Sequence, residues 1–300
     1  MRTVVQLLAI GLSRGAVYAL VALGITLVYR TTNILNFAQG QILMVAVFTS
    51  LTLNQNPLRP MPLPFAWLVG LLVAMLLGLF VELAVRPTLK HKGSIGWILA
   101  TVAIATIIQF GAPYVWPAED RPYPSPFPND VGIPGLGSLV SQRQAFTIAI
   151  AFGLMLVVDL LYNKTKFGRA MKAVAVDRDT ASLMGISPRR TVRWAFLLAS
   201  ILAAIGGYLV APLAFANINM GFDLGVKGFV SSVLGGIDSA RGAMAGGILL
   251  GIFEAALPQI LGIFNSNLAK FPDPFVFLLF ILVLVFRPQG LFGTAIREAR

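Results

Sequence analysis

Apolar residues come in long runs separated by short polar stretches. The runs are 4–29, 40–53, 64–85, 93–112, 145–161, 194–216, 243–263 and 275–286. Each is a candidate for a membrane-spanning helix, which needs about 20 apolar residues. The second is short and follows TTNILNFAQGQ, whose Thr31, Thr32, Asn33, Asn36, Gln39 and Gln41 fall inside what should be membrane. Unsatisfied polar groups in hydrocarbon cost several kcal/mol each, so these must face protein, a cavity or the headgroup layer. They read either as a broken helix lining a substrate route or as an interfacial turn bonded to neighbouring helices. A second irregularity is 221–241, GFDLGVKGFVSSVLGGIDSAR, too glycine-rich and too short for an ordinary span. Stretches 35–48 and 234–253 both run from a polar, glycine-containing break into a small-residue helix. Paired broken helices in two halves of a transporter point to a midplane pathway.

The expected fold is an all-α polytopic transmembrane helical bundle forming one transmembrane domain over 1–300, with a pseudo-repeat of two halves. It has eight ordinary spans plus one short broken crossing at 221–241, nine in all; eight spans with a re-entrant loop is the alternative. Charge sets its orientation. Segment 164–193 carries Lys164, Lys166, Arg169, Lys172, Arg178, Arg189, Arg190 and Arg193 against Asp177 and Asp179. A cationic loop between two membrane-length runs is cytoplasmic by the positive-inside rule. Counting back, 112–142 lies outside, with Glu119, Asp120 and Asp130 against Arg121; 86–92 lies inside and the N-terminus outside. Counting forward, Arg287, Arg297 and Arg300 come out inside if 221–241 crosses.

The middle of the cationic loop, DRDTASLMGIS, has a short helical pattern with Ala181, Leu183 and Met184 as small or apolar docking residues. Gly185 sits where the helix stops and Pro188 lies just beyond. A loop that only touched lipid headgroups has no need of such a capped element; one that docks into another protein does.

Composition removes most other function classes. Hydrophobic residues are 57% of the chain and charged residues 12%, about half the roughly 25% of soluble domains. The first run exceeds the roughly 7–15 apolar residues of a cleaved signal core. The net charge of +11 sits mostly in short loops, which reads as inner-leaflet anchoring to membrane lipid rather than nucleic-acid binding. There is no cysteine, hence no disulfide or thiolate metal site, and the lone His91, between Lys90 and Lys92, has no second histidine as a metal partner. Phosphate-loop, zincin and nucleophile-elbow motifs are all absent. No catalytic constellation is present, and any ATP must be bound by another chain.

Ionisable residues in or near the spans are Arg14, Glu82, Asp159, Lys227 and Glu254. Glu82 and Arg86 stand four apart and read as a local ion pair, Asp159 as interfacial beside Asn163 and Lys164, and Lys227 with Glu254 as a structural pair or snorkelling. Gly11 with Gly15, Gly242 with Gly246 and Gly247 with Gly251 have the spacing for close helix packing within the subunit. Nothing resembles the paired midplane carboxylates of a proton-driven carrier.

The stretch GAVYALVALGITLVYRTTNILNFAQGQILMVAVF (15–48) resembles the opening of the branched-chain amino-acid ABC importer permeases, the shorter of two paralogous subunits. That family writes G-x-x-Y-A-L-x-A-L-G and then I-N-F-A-H-G. Glu82 with Arg86-Pro87, TKFGRA at 165–170, Asp177 through Ile186, Lys227-Gly228-Phe229, LGGI at 234–237 and RPQGLFG at 287–293 follow its further motifs in order. Gln39 stands where histidine is common, which excludes protonation there. Arg14 replaces a small or apolar residue, and Asp238 a glycine.

The resemblance implies a bacterial inner-membrane permease subunit for hydrophobic amino acids. Its partners would be a second homologous permease, two cytoplasmic ATPases holding ATP and Mg, and an extracytoplasmic binding protein; this chain itself would bind no cofactor. The ATPase-coupling loop would use Arg169, Asp177, Ala181, Leu183, Gly185 and Ile186. The translocation pathway would use Asn36, Gln39, Gly40 and Lys227, with Ser231, Ser232, Gly235 and Gly236. Relatives that carry urea, short-chain amides or other amino acids leave the substrate open, and an ion-gradient carrier or channel is the alternative of another class.

Overall fold

The computed structural model describes residues 2–88, 95–127, 132–133, 137–264, 270–271 and 273–293. Lys90, His91, Lys92, Asp130, Arg297 and Arg300 lie outside the described residues. The elements are α1 (Arg2–Thr32), α2 (Gln39–Asn54), α3 (Leu63–Val85), α4 (Gly96–Val115), β1 (Gly132–Ile133), β2 (Gly137–Ser141) and α5 (Gln142–Lys164), followed by α6 (Lys166–Val176), α7 (Arg178–Leu183), α8 (Pro188–Ala214), α9 (Met220–Gly235), α10 (Ala240–Phe264) and α11 (Asp273–Phe286). Apart from the small antiparallel ribbon β1–β2, the described residues build a polytopic helical bundle.

Helices α1, α3, α4, α5, α8 and α10 are long and apolar enough to cross a membrane. Helices α2 and α9 have 16 residues each and α11 has 14. At 1.5 Å per residue these rise about 24 and 21 Å, less than the roughly 30 Å of hydrocarbon. Position explains how the short ones are tolerated. In α2, every residue from Gln39 to Phe48 is buried, so protein rather than lipid surrounds it.

At the centre stand α1 and α8. In their most apolar windows 78% and 72% of residues are buried, against 17% in α4 and 28% in α5. They run antiparallel: Gly24 of α1 lies against Ala199, while Gly206 of α8 lies against Val17 and Val21. Helix α10 packs along α1 through Gly11, Gly15, Gly247 and Gly251, where backbone meets backbone. Helix α3 packs along α8 with its glycines receiving side chains, Gly70 the Tyr208 hydroxyl and Gly78 the Ser200 side chain. Gly242 and Gly246 both face Gly235. All three spaced glycine pairs thus serve packing within the subunit.

After α1 the chain turns at Asn33, and after α8 at Phe215, both in the left-handed region (φ +57° and +62°). Asparagine tolerates that conformation; phenylalanine is strained in it. Each turn leads through a short irregular segment into a 16-residue helix, α2 or α9. Two sequence expectations change here. The glycines of 221–241 do not break a crossing, because 220–235 is one continuous helix and the chain turns at Gly236 (φ +104°). Stretches 35–48 and 234–253 do not hold matching places, since the second is the junction of α9 with α10. What matches α2 in plan is α9.

The remaining ties are polar. Glu82 and Arg86 form the expected pair, 3.1 and 2.8 Å. Asp159 accepts from Asn163 at 2.9 Å and also, unforeseen, from Arg241 of α10 through two bonds of 2.9 Å. The Lys227 ammonium donates to Glu254 at 2.9 Å and lies 3.2 Å from Asp273, with Arg14 3.8 Å from Glu254. Outside the spans, the Tyr123 hydroxyl bonds Ser50 at 2.6 Å and accepts from Trp67 at 2.8 Å. Burial pushes that phenol up to about 12. Leu291 and Phe292 donate to the carbonyls of Leu234 and Gly235, so the segment after α11 clamps the α9–α10 turn.

At the crossing of α2 and α9, Gly40 meets Gly221 and Gly225 so closely that an added Cβ would strike the Gly221 backbone. Gly40→Ala should therefore destabilise the protein by about 3 kcal/mol or more, at or above the top of the usual overpacking range. Gly111→Ala, with nothing within 4 Å of the new methyl, should gain up to about 1 kcal/mol from helix propensity. Thermal unfolding of the two variants in one detergent distinguishes these outcomes.

Candidate permeation cavity and coupling elbow

The polar stretch between α1 and α2 first satisfies itself. The Thr31 and Thr32 hydroxyls donate to the carbonyls of Leu27 and Val28, at 2.8 and 2.7 Å. Thr32 Oγ1 accepts from the Ile34 N–H and Asn36 Oδ1 from the Ala38 N–H, each at 3.1 Å. Backbone groups freed by the turn thus find partners without water, which is the condition for irregular backbone at membrane depth. Gln39 then donates to the Ala199 carbonyl at 2.7 Å, fixing the start of α2 against the middle of α8.

Beside this start lies a cavity of roughly 350 Å³, walled by segment 35–41, α4 and α9. Asn36, Gln39, Gln41, Thr106 and Gln109 bring polar groups to it, and Phe37, Phe110, Phe222 and Phe229 bring aromatic faces. Among the described residues, no ionisable side chain lines it. Gly40, Gly221 and Gly225 form its floor where the two short helices cross.

At the same end of α1, around Arg30 and Thr32, is an elbow built from α5, α6 and α7. Thr165 caps α6 by accepting from the Gly168 N–H at 3.2 Å, and Gly168 packs on the carbonyls of Leu161 and Tyr162. Met171 and Val174 turn inward from this amphipathic helix. Asp177 caps α7, its Oδ1 accepting from Asp179 and Thr180 at 2.8 and 3.2 Å. At the far end Ile186 donates to Ala181 and Gly185 to Ser182, both at 3.0 Å, with Gly185 at φ +80°. This is a Schellman ending, which glycine fills without strain. Pro188 opens α8 directly after it.

Arg178 of α7 donates to the Thr32 carbonyl at 3.0 Å, and burial draws its pKa below the usual arginine value. Arg30 and Lys172 both lie over the Tyr162 ring, 4.6 and 4.8 Å from its centre. With its inner face fixed in this way, α7 turns Leu183 (88% exposed) and Met184 (78%) outward, and Val176 (88%) stands beside them.

A family model described as "Branched-chain amino acid transport system / permease component" matches residues 7–286. The chain belongs to this family. The permease is 28% identical to the high-affinity branched-chain amino acid transport system permease protein BraD of Pseudomonas aeruginosa, over 96% of this chain and 95% of that one. It is 30% identical to the LivH permease protein of the same transport class from Escherichia coli K12, over 94% and 93% of the two chains. Among solved structures, PsaBC from Streptococcus pneumoniae in complex with Fab matches with a TM-score of 0.47 at 10% identity, over 91% of this chain and 90% of that one.

In this LIV-type ABC permease the pathway residues named from sequence separate into two groups. Asn36, Gln39 and Gly40 line the cavity. Lys227, Ser231, Ser232, Gly235 and Gly236 do not line it. Lys227 is committed to Glu254 and Asp273, and Ser231 to the Lys227 carbonyl at 2.7 Å. Ser232 bonds Thr26 at 2.8 Å, Gly235 packs on Gly242, and Gly236 packs on the segment after α11. On the elbow, Arg169 and Leu183 are exposed, Asp177 and Gly185 are the two caps, and Ile186 is half-buried. Ala181 is 4% exposed and faces the protein rather than a partner. Sequence reasoning missed Gln109, Thr106, Gly221 and Gly225. Gln109 is the lone amide in the apolar run of α4, and that could have marked it.

Removing the α7 cap by Asp177→Ala should cost about 1 kcal/mol locally. The amides of Ala181 and Ile186 should then exchange about fivefold faster, while protection in α1 and α8 stays unchanged. Hydrogen exchange resolved along the chain reads both at once.

Proposed function

We propose that this permease is one of two homologous membrane subunits of an importer for branched-chain amino acids in a bacterial inner membrane. Two cytoplasmic ATPases, holding ATP and Mg, would drive it, and an extracytoplasmic binding protein would deliver substrate. Family membership supports the transport class. The observation that carries the coupling role is α7: a capped helix, tied to α1 through Arg178, that turns large apolar side chains away from the protein. Solvated loops rarely hold an apolar knob so firmly unless it enters a partner's groove. ATP-driven closure of the ATPases would shift α7, and differential contact with two permease conformations would alternate access.

Nine crossings, with the N-terminus outside and the C-terminus and elbow inside, fit the element order α1 to α5 and α8 to α11. Two internal halves, α1–α4 and α8–α11, are supported by the packing plan. Helix α1 packs on α9 and α10 as α8 packs on α2 and α3, and each long central helix ends in a left-handed turn before a 16-residue helix. The antiparallel pairing of α1 with α8 makes these halves inverted, an arrangement seen in many transporters.

Co-expression with the neighbouring reading frames, followed by affinity purification and an ATPase assay, tests this. The wild-type chain should bring down a second permease and two ATPases. Leu183→Asp should lose the ATPases or lower substrate-stimulated hydrolysis at least about tenfold, the scale of one buried charge. Its own melting temperature should be unchanged, since the residue is exposed. A chain that purifies alone and transports without ATP would instead be a gradient-driven carrier.

A further inference from the structure

Gln41 is 3% exposed, yet its Oε1 is a buried oxygen without a hydrogen-bond partner. Its orientation is dictated by a short relay. The Gln109 amino group donates to the Ile218 carbonyl at 3.2 Å and to Asn219 Oδ1 at 3.1 Å. A backbone carbonyl can only accept, so the Gln109 oxygen must face the other way, toward Gln41. There it accepts from Gln41 Nε2 at 2.8 Å. The remaining Gln41 atom, Oε1, is therefore an acceptor by necessity. It sits beside Gly221, and both residues line the cavity.

Two further features converge on the same space. Helices α2 and α9 begin there, at Gln39 and Met220, and neither start has a side-chain cap. Gln39 and Met220 themselves donate to the carbonyls of Asn36 and Asn217, but helix starts without side-chain caps still place the positive end of the helix dipole at this edge of the cavity. The rest of the lining is aromatic and aliphatic, including Phe37, Phe229, Val102 and Val226.

We propose that this cavity is a transient site for a zwitterionic α-amino acid with an apolar side chain, and that Gln41 Oε1 accepts from its ammonium group. The α-carboxylate would lie toward the starts of α2 and α9, and the side chain among the phenylalanines. A cationic or anionic side chain would be buried there without a counter-charge, so the site selects for apolar substrates within the pathway itself. Gln109 is a positioning residue: it acts through Gln41 and holds the acceptor toward the substrate. The inference rests on the importer reading above and adds to it a recognition atom and the residue that positions it.

Leucine is the probe, measured as uptake into proteoliposomes containing the whole complex, with binding protein outside and ATP inside. Co-elution of all subunits checks assembly. Gln41→Leu removes the acceptor and should lower leucine uptake at least about tenfold, a loss of 1.4 kcal/mol or more. Gln109→Glu still accepts from Gln41 Nε2 but loses the donations to Ile218 and Asn219, so uptake should fall, though by less than in Gln109→Lys. Gln109→Lys can only donate, turns the Gln41 amide over and places a cation nearby, so uptake should fall at least about tenfold. This dependence on the sign of the substitution is the readout that a packing role would not produce. Normal uptake by Gln41→Leu, or equal effects of Gln109→Glu and Gln109→Lys, overturns the site. A wild-type complex that assembles but moves no leucine overturns the importer reading itself, and is told apart because no variant is then needed.

Discussion

Hydrocarbon offers no hydrogen bonds, and the interior of this permease is arranged around that fact. A continuous helix meets the constraint for free, but a chain that must leave the helical path inside the membrane has to supply partners from its own side chains. The stretch after α1 does so: two threonines bond back into the helix they end, Asn36 takes up the Ala38 N–H, and Gln39 reaches the Ala199 carbonyl. Residues that look extravagantly polar for a membrane segment are thus mostly engaged in keeping a break dry. Within this stretch an unanswered oxygen remains at Gln41.

Glycine solves the complementary problem. Lipid gives little hydrophobic driving force between helices, so contact must come from close packing. In α1 and α10 the backbones touch along Gly11, Gly15, Gly247 and Gly251, and at the crossing of the short helices Gly40 meets Gly221. Charges are handled just as locally. Glu82 keeps Arg86, Asp159 holds Arg241, and Glu254 neutralises Lys227 with Arg14 near by. The Asp159 and Glu254 contacts tie helices together, the Glu82 pair closes the end of α3, and all stay out of the cavity.

Much of this was legible in the linear chain for physical reasons. Long apolar runs report membrane helices because hydrocarbon thickness sets their length. The capped α7 was readable because Asp177, Gly185 and Pro188 are local signals with local causes. What could not be read was tertiary. The glycines of 221–241 look like a broken crossing, since glycine weakens an isolated helix, yet α9 is continuous because those glycines face other backbones. Ser231 and Ser232 looked like pathway hydroxyls but are spent on Lys227 and Thr26. Gln109, one amide in an otherwise apolar run, becomes informative only once α4 is placed beside the start of α2.

The bond from Arg178 to the Thr32 carbonyl has a mechanical meaning. Thr32 is the last residue of α1 and the immediate neighbour of Asn33, the left-handed turn from which the segment carrying Asn36 and Gln39 departs. A rotation of α7 that keeps this bond must pull on the turn itself, so handle and hinge are separated by a single peptide unit. The path from α7 to the cavity is therefore short, and little of a displacement applied to α7 can be lost to bending on the way.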